Sequence, residues 1–295
     1  MSGLVGKQVA RRLAGRHELL RLVRRASAKP AEATVEFVWD AAGPGAWAPV
    51  LETCDAVLNL AGEPIAARWT ADKKKKIRDS RVHSTRALVQ AISALRRRPR
   101  VLVNASAVGF YGNRGDELLT ETSGPGSGFL TDTCQAWEAE ALRAEALGVR
   151  VVLLRTGIVL SREGGALAKM LPPFRFGLGG PLGSGRQWMS WIHVDDEARA
   201  VVHALENEAV RGAVNLTAPE PARMGEFALS LGAALHRPAV LAAPGFVLKA
   251  VLGEMSVLLL EGQRVLPQAL EASGFTFEHP ALPEALKHLL TDKAA

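Results

Sequence analysis

The sequence predicts an α/β protein with a doubly wound parallel sheet and a smaller, mainly helical C-terminal part. Two observations predict the sheet: short apolar runs rich in β-branched residues recur along most of the chain, and helical segments lie between them. Strands that are apolar on both faces are typical of parallel sheets covered by helices on both sides. A third observation, the loss of this alternation from about Pro219, predicts the helical part.

The strands and helices of the sheet region are predicted from apolar runs and from their period. The predicted strands are Leu19–Val23, Val35–Trp39, Asp55–Leu60, Val101–Ser106, Val151–Arg155 and Ala213–Thr217. The predicted helices between them are Val5–Leu13, Arg81–Leu95 and Leu130–Leu147. Because strands and helices alternate, the strands are expected to run parallel in one sheet.

The C-terminal part is predicted from helical periodicity. Its helices are Met224–Leu235, Phe246–Leu252, Met255–Leu260 and Leu282–Leu290, and one possible strand is Phe275–Phe277. We therefore predict two domains, a nucleotide-binding domain over 1–218 and a helical, substrate-side tail over 219–295.

Charge and composition narrow the function classes. The net charge is +6, but the basic residues form separate clusters on or beside predicted helices, where solvated charges are usual. With no DNA-reading motif, the expected anion is a nucleotide phosphate and not a nucleic acid. No run suits a membrane span and no signal peptide is recognised, so the predicted compartment is the cytoplasm. Cys54 and Cys134 indicate neither a disulfide framework nor a metal site.

The opening segment Gly3-Leu4-Val5-Gly6 precedes an amphipathic helix, as in a loop that holds a pyrophosphate. Small residues there let a phosphate approach the backbone, and the helix N-terminus offers free N–H groups. An ordinary helix start explains two glycines equally well. Such a loop normally follows a buried central strand, so we expect that Met1 is a misassigned start or that the chain is truncated.

The second predicted strand leads into Arg24 and Arg25. A site specific for NAD places an acidic residue here for the ribose 2′-hydroxyl, whereas arginine suits a 2′-phosphate. The arginines therefore predict NADP(H) in preference to NAD(H). The alternative is that both are solvated loop residues.

Residues at the carboxyl ends of the other strands complete the predicted cofactor site, because ligands bind at that edge of a doubly wound sheet. They are Leu60, Ala61, Gly62, Ala105 and Arg155. Ser106 and Tyr111, the only tyrosine, follow the strand that ends near Ala105. Their hydroxyls could orient or protonate a substrate carbonyl, which makes both candidate catalytic residues. A turn cap and a gap-filling aromatic ring are the structural alternatives.

Several segments together identify a family. GLVG, DAVLNLAGEPIAARW, SRVHSTRALVQAI, NASAVGFYG, VVLLRTGIVL and GGPLGSGRQWMSWIHVDD resemble the extended short-chain dehydrogenase/reductase superfamily, in particular its atypical epimerase-family branch. The tail, from GEFALSLGAALHRPA to SGFTFEHPAL, is similar to the C-terminal DUF1731-type domain of that branch. The resemblance implies a Rossmann-type sheet, NAD(P) binding and a small-molecule substrate.

The sequence departs from the superfamily at the residues that move protons. The resemblance implies a tyrosine followed four residues later by a lysine, but FLTDTCQAWEAEAL has Cys134 and Glu138 there. A carboxylate raises the pKa of a neighbouring thiol, so the usual relay cannot operate. Glu138 remains a candidate base, or else half of a structural ion pair. His83 stands where many extended members of the superfamily have an asparagine, and we favour a role in helix packing for it. Arg81 is expected on a different face of the same helix.

Two further segments border the substrate pocket in extended relatives. The glycine-rich loop 176–185 is either a lid or an irregular turn. In WIHVDDEARAVVHAL, Asp195 and Asp196 are predicted to cap a helix, and Trp188, Trp191 and His193 are candidates to face the pocket.

The leading hypothesis is an NADP(H)-dependent oxidoreductase or epimerase-type enzyme acting on a small molecule. The alternative is an NADPH-binding sensor or regulatory protein without catalysis, which the missing tyrosine–lysine pair favours.

Overall fold

The structure is a computed structural model that describes residues 3–24, 34–39 and 43–291. The strands are β1 (Leu19–Val23), β2 (Thr34–Val38), β3 (Ala56–Asn59), β4 (Val101–Ala107), β5 (Leu118–Leu119), β6 (Arg150–Thr156), β7 (Ile158–Leu160), β8 (Trp188–Met189), β9 (Trp191–His193), β10 (Gly212–Leu216), β11 (Ala222–Arg223) and β12 (Arg264–Val265). The helices are α1 (Leu4–Leu13), α2 (Ala71–Ala94), α3 (Phe129–Leu142), α4 (Gly165–Arg175), α5 (Val194–Glu206), α6 (Met224–Leu235), α7 (Gly245–Leu252), α8 (Val257–Leu260), α9 (Gln268–Ala272) and α10 (Leu282–Thr291).

The central sheet is parallel, as predicted. Its strands lie in the order β10-β6-β4-β3, and β1 pairs with β2, also in parallel, as a separate sheet. In the described ranges no ladder joins β1 to β3. The carboxyl ends of β3, β4, β6 and β10 lie at one edge, which is where the predicted site residues follow.

Helices cover both faces of this sheet because its strands are apolar on both faces. Along β6, Val152 and Leu154 pack with α1 and α5, whereas Val151 and Leu153 pack with α2 and α3. Neighbouring residues of a strand point to opposite faces, so one continuous apolar run fills two cores. Burying each such side chain contributes about 1.5–3 kcal/mol.

The C-terminal helices pack together with α4 and the segment around β9. Phe227 of α6, Leu286 of α10, Phe174 of α4 and Trp191 belong to one buried cluster. Two short strands also occur here, because β11 pairs with β8 and β12 pairs with β5. The suggested strand at Phe275–Phe277 is wrong: these residues form no strand, and Phe275 instead packs edge-on against Phe277 with ring centroids 5.0 Å apart.

Several helix limits differ from the predicted ones for identifiable reasons. Helix α2 starts well before Arg81, because Thr70 caps it by accepting a hydrogen bond from the Lys73 amide at 3.1 Å. Helix α3 ends at Leu142, and Gly148 in the left-handed region (φ 80°) closes the short 3₁₀ turn that follows. Helix α4 was not predicted, since Pro172 and Pro173 near its end obscure the pattern.

The cap of α5 corrects another prediction. Asp195 and Asp196 are inside the helix, and His193 is the capping residue, with its Nδ1 accepting from the Asp195 amide at 3.0 Å. No helix in the part of the chain that the structure describes is both long and apolar enough to cross a bilayer.

Candidate functional site

The N-terminus of α1 has the features of a phosphate-facing helix start. Gly3 precedes it in an extended conformation (φ −78°), with no side-chain cap and no acidic residue in the first turn. Within the described part of the chain, a Cβ at Gly3 would have no atom within 4 Å, so these residues leave space beside the backbone. Gly6 is buried, while Leu4 and Val5 pack against the two cores. The uncompensated N–H groups suit an anion at this position.

The segment directly after β3, residues 60–63, contacts α2 through Arg81. Leu60 and Ala61 follow the strand, and the Ala61 amide donates to Oδ1 of Asn59 at 3.2 Å. A Cβ at Gly62 would lie 3.1 Å from the guanidinium of Arg81, which donates to the Glu63 carbonyl at 3.1 Å. A side chain at position 62 would therefore require the Arg81 guanidinium to shift by a few tenths of an ångström.

Arg81 and His83 lie on different faces of α2, as expected. Arg81 stacks over Trp137, with the guanidinium carbon 5.2 Å from the ring centroid. His83 is exposed, so the packing role favoured for it is wrong.

Arg24 is exposed at the carboxyl end of β1, and Arg25 lies outside the described residues. The pKa of Glu63 is lowered, first by its hydrogen bond from Lys73 at 2.7 Å and further by the positive charges of Lys73, Arg24 and Lys76. The positive charge of Arg24 therefore contributes to the lowered pKa of Glu63, which directly follows Gly62.

A buried amide network between β3, β4 and α2 was missed by the sequence reasoning. Asn59 donates to Oδ1 of Asn104 at 2.7 Å and to the Thr85 hydroxyl at 2.9 Å, and Trp137 also donates to Thr85 at 2.9 Å. The sequence signal that could have indicated this network is the presence of Asn59 and Asn104 inside otherwise apolar strand segments. The network fixes the ends of β3 and β4 relative to each other.

The structure brings Ser106, Glu138 and Arg155 together. The Ser106 hydroxyl donates to Oε1 of Glu138 at 2.6 Å. Arg155 donates to both carboxylate oxygens, at 2.9 Å each, and all three side chains are about 5% exposed. Burial lowers the pKa of Arg155, but the hydrogen bonds and charge of Glu138 more than offset it, so the pKa is raised overall. Glu138 is thus in a buried ion pair with Arg155, and its Oε1 accepts hydrogen bonds from both Arg155 and Ser106.

Tyr111 joins the same network and is fully buried. Its hydroxyl donates to Oδ1 of Asn215 at 2.7 Å and accepts from Arg155 at 3.0 Å. Burial raises the pKa of Tyr111, although Arg155 and Asn215 partly oppose the rise. Arg155 also lies over Phe110, 3.5 Å from the ring centroid. Arg155, predicted from the sequence to contact cofactor, is therefore engaged by three of the protein's own side chains, those of Glu138, Tyr111 and Phe110.

Cys134 lies at the position of the missing tyrosine and is buried. Its thiol donates weakly to the Ala107 carbonyl at 3.8 Å. Burial, followed by the negative charge of Glu138, raises the pKa of Cys134 to about 12. The thiol therefore stays protonated at neutral pH and cannot replace a phenolate in a proton relay.

The two segments expected near the substrate pocket behave differently. Trp191 and His193 are fully buried, Trp191 in the core and His193 against His279 and His288, so neither faces a pocket. Trp188 is accessible and borders a surface cavity of about 220 Å³ whose lining includes Asp116, Arg186 and Arg223. Trp188 donates to Asp116 at 2.6 Å. The guanidinium carbon of Arg223 lies over the Trp188 ring, 4.4 Å from its centroid.

The glycine-rich loop 176–185 is tied to the tail by backbone hydrogen bonds. Leu241 donates to Gly179 at 3.1 Å, Ala243 donates to Pro181 at 3.0 Å, and Gly183 donates to Ala243 at 2.9 Å. These bonds make the loop part of the tail's edge and not an independent flap.

Comparison with known proteins agrees with this geometry. The model of the NAD dependent epimerase/dehydratase family matches residues 1–216, and that of a domain of unknown function, DUF1731, matches residues 243–289. The chain belongs to the NAD-dependent epimerase/dehydratase family. This confirms the resemblance drawn from the sequence and the predicted fold class.

Relatives of this epimerase/dehydratase family cover nearly the whole chain. This chain is 41% identical to the chloroplastic epimerase family protein SDR39U1 homolog of Arabidopsis thaliana, over 98% of this chain and 84% of the relative. The crystal structure of human epimerase family protein SDR39U1 (isoform 2) with NADPH is 36% identical and has a TM-score of 0.87, covering 99% of this chain and 97% of that one. MoeE5 in complex with UDP-glucose and NAD, at 21% identity and a TM-score of 0.76, shares the fold.

Proposed function

We propose that this protein binds NADP(H) at the carboxyl edge of the sheet and acts as an oxidoreductase or epimerase-type enzyme on a small molecule. The observation that carries the proposal is the human relative of high structural similarity that was crystallised with NADPH. The exposed Arg24 supports the phosphorylated cofactor, because a guanidinium suits a 2′-phosphate better than a free ribose hydroxyl.

The residues present fit a dinucleotide. Gly3 leaves open space beside an uncapped helix N-terminus, and Gly62, after β3, carries no side chain of its own, with the Arg81 guanidinium beside it. These residues would hold the pyrophosphate and adenosine half, with Arg24 at the 2′-phosphate. When bound, a nicotinamide cofactor supplies hydride transfer.

Ser106 and Glu138 would transfer the proton that the substrate gains or loses. Ser106 is a buried residue near the carboxyl end of β4, and its hydroxyl donates to Glu138 at 2.6 Å. A substrate oxygen that reached Ser106 could therefore pass a proton through the hydroxyl to the carboxylate, whose orientation Arg155 fixes from both oxygens. Tyr111, with both its hydrogen-bonding roles taken by protein atoms, is better suited to position Arg155.

A non-catalytic NADPH sensor is the second candidate. It is favoured by the high pKa of Cys134 and by the closed network around Glu138, which together leave no tyrosine–lysine relay. Both candidates share cofactor binding and differ only in turnover.

The test begins with calorimetric titration of NADPH and NADH. Because Arg24 is solvent-exposed, we expect Arg24→Ser to weaken NADPH binding about tenfold, equivalent to about 1.4 kcal/mol, and to leave NADH binding unchanged. Arg211→Ser is the matched control, since this exposed arginine directly precedes β10, at the opposite edge of the sheet. Equal losses for both cofactors would remove the role assigned to Arg24.

Turnover is then measured as NADPH oxidation with a panel of aldehydes, ketones and sugar nucleotides. The enzyme hypothesis predicts activity that Ser106→Ala abolishes while NADPH affinity is retained. Binding without turnover of any panel member would support the sensor instead.

A further inference from the structure

His193 and two histidines of the tail, His279 and His288, meet where the tail packs on α5. His193 directly precedes α5, His279 lies before α10, and His288 is on α10. Ring centroids are 3.8 Å apart for His193 and His279, 4.4 Å for His279 and His288, and 5.1 Å for His193 and His288. His193 is fully buried and the other two are half-buried, so the cluster reaches the surface on one side.

The nitrogen atoms are spaced as in a metal site. Nε2 of His193 and Nδ1 of His288 are 3.2 Å apart. Two imidazole nitrogens on one tetrahedral Zn²⁺, each about 2.0–2.1 Å from the metal, are separated by about 3.3–3.4 Å. One ligand atom from each of the three histidines and Asp195 can be chosen so that all lie within 4.8 Å of one another. To direct their nitrogens at a common centre, the stacked rings of His193 and His279, now inclined by 30°, would have to rotate apart.

The backbone under these rings is fixed by a buried carboxylate. Asp196 is fully buried, and its two oxygens accept from the amides of Glu278 at 2.9 Å and of His279 at 2.8 Å. Helix α10 is held by Leu286 and Leu289, which are buried in the core shared with α6. The histidines therefore project from rigid elements, which a preorganised metal site requires.

We infer that His193, His279 and His288 form a binding site for one Zn²⁺ or a similar transition-metal ion. Imidazole nitrogen is a preferred ligand for these ions. The ion would join α5 to the tail, so its role would be to fasten the two parts together, independently of the nucleotide site.

The proton balance of this site is defined by Asp195. In the present arrangement Nδ1 of His193 accepts from the Asp195 amide, which leaves the ring proton on Nε2, directed at His288. A metal at Nε2 takes the place of that proton, which moves to Nδ1. Nδ1 then no longer accepts from the Asp195 amide, and its N–H instead faces Oδ2 of Asp195, 3.7 Å away. A carboxylate behind a ligating histidine is the usual second partner of such a ring. Asp195 is thus a positioning residue for the metal ligand.

The test uses the full chain, freed of metal by a chelator and titrated with ZnSO₄ by calorimetry. We expect one Zn²⁺ to bind per chain, with affinity reduced more than about 100-fold by His288→Gln and about 10–100-fold by Asp195→Asn. At 100 times the Kd, Zn²⁺ should raise the Tm by about 5 °C. His236→Asn is the control, because it removes an exposed histidine from a left-handed position that asparagine tolerates.

Cobalt provides a readout that does not depend on any variant folding. Co²⁺ at this site should give the intense visible bands of tetrahedral coordination. Weak octahedral bands, the lack of saturable binding at one ion per chain, or affinity unchanged in both His279→Gln and His288→Gln would overturn the assignment and leave the cluster as packed neutral rings.

Discussion

Replacing Glu197 by glutamine is expected to remove a pH dependence of stability. Glu197 is buried in α5, where its Oε1 accepts from the Thr156 hydroxyl at 3.0 Å. Its Oε2 is buried and has no hydrogen-bond partner among the residues that the structure describes. Burial raises the pKa of Glu197 from 4.5 to about 8, and the Thr156 hydrogen bond opposes this rise. The folded protein therefore holds the proton more tightly than the unfolded chain does.

The direction of the effect follows from this difference in pKa. Stability from the protonated carboxyl is fully present below pH 4.5 and is lost as pH rises through about 8. One pKa unit corresponds to about 1.4 kcal/mol, so between pH 5 and pH 8 this group should lower the free energy of unfolding by roughly 3 kcal/mol. Glutamine is nearly isosteric with the protonated acid and does not titrate.

The assay is urea unfolding of both proteins at several pH values. The free energy of unfolding of Glu197→Gln minus that of the wild type should grow by about 3 kcal/mol from pH 5 to pH 8. Glu284→Gln, at an exposed position of α10, is the control and should show a constant difference. A constant difference for Glu197→Gln as well would refute the reasoning, because the carboxyl would then titrate alike in folded and unfolded chains.

Two further predictions concern the buried network. Glu138→Gln leaves the Arg155 charge buried and unpaired, so urea unfolding at pH 7 should show a free energy of unfolding lower by about 3–5 kcal/mol. Combining Glu138→Gln with Arg155→Met should largely restore it. A loss under about 1 kcal/mol for Glu138→Gln would contradict the pairing. Cys134, with its pKa of about 12, should resist iodoacetamide at pH 8 in the folded protein and react fully in urea, as measured by mass spectrometry; rapid labelling of the folded protein would show that its surroundings are open.

The sequence predicted the main strands and their parallel arrangement because apolar runs and turn residues are local signals. The runs in β4 and β6 agree with the predicted segments to within two residues at each end. Short strands such as β5 and β12 could not be predicted, because two residues carry no periodicity and each pairs with a partner distant in the chain. Helix α4 was missed for a different reason: Pro172 and Pro173 lie inside it, and they obscure the helical spacing of its buried residues Leu167, Leu171 and Phe174.

For the candidate site, the sequence by itself placed Arg24, Gly62, Ser106 and Arg155 at or just beyond the carboxyl ends of predicted strands, and it placed Gly3 at a helix start. Strand direction and alternation place such residues at one edge without knowledge of any contact. Only the tertiary structure decided their partners. It joined Glu138 to Arg155, 17 residues apart, and Tyr111 to Asn215, 104 residues apart. It also gathered His193, His279 and His288, because side-chain contacts across a fold depend on helix packing that no local pattern specifies.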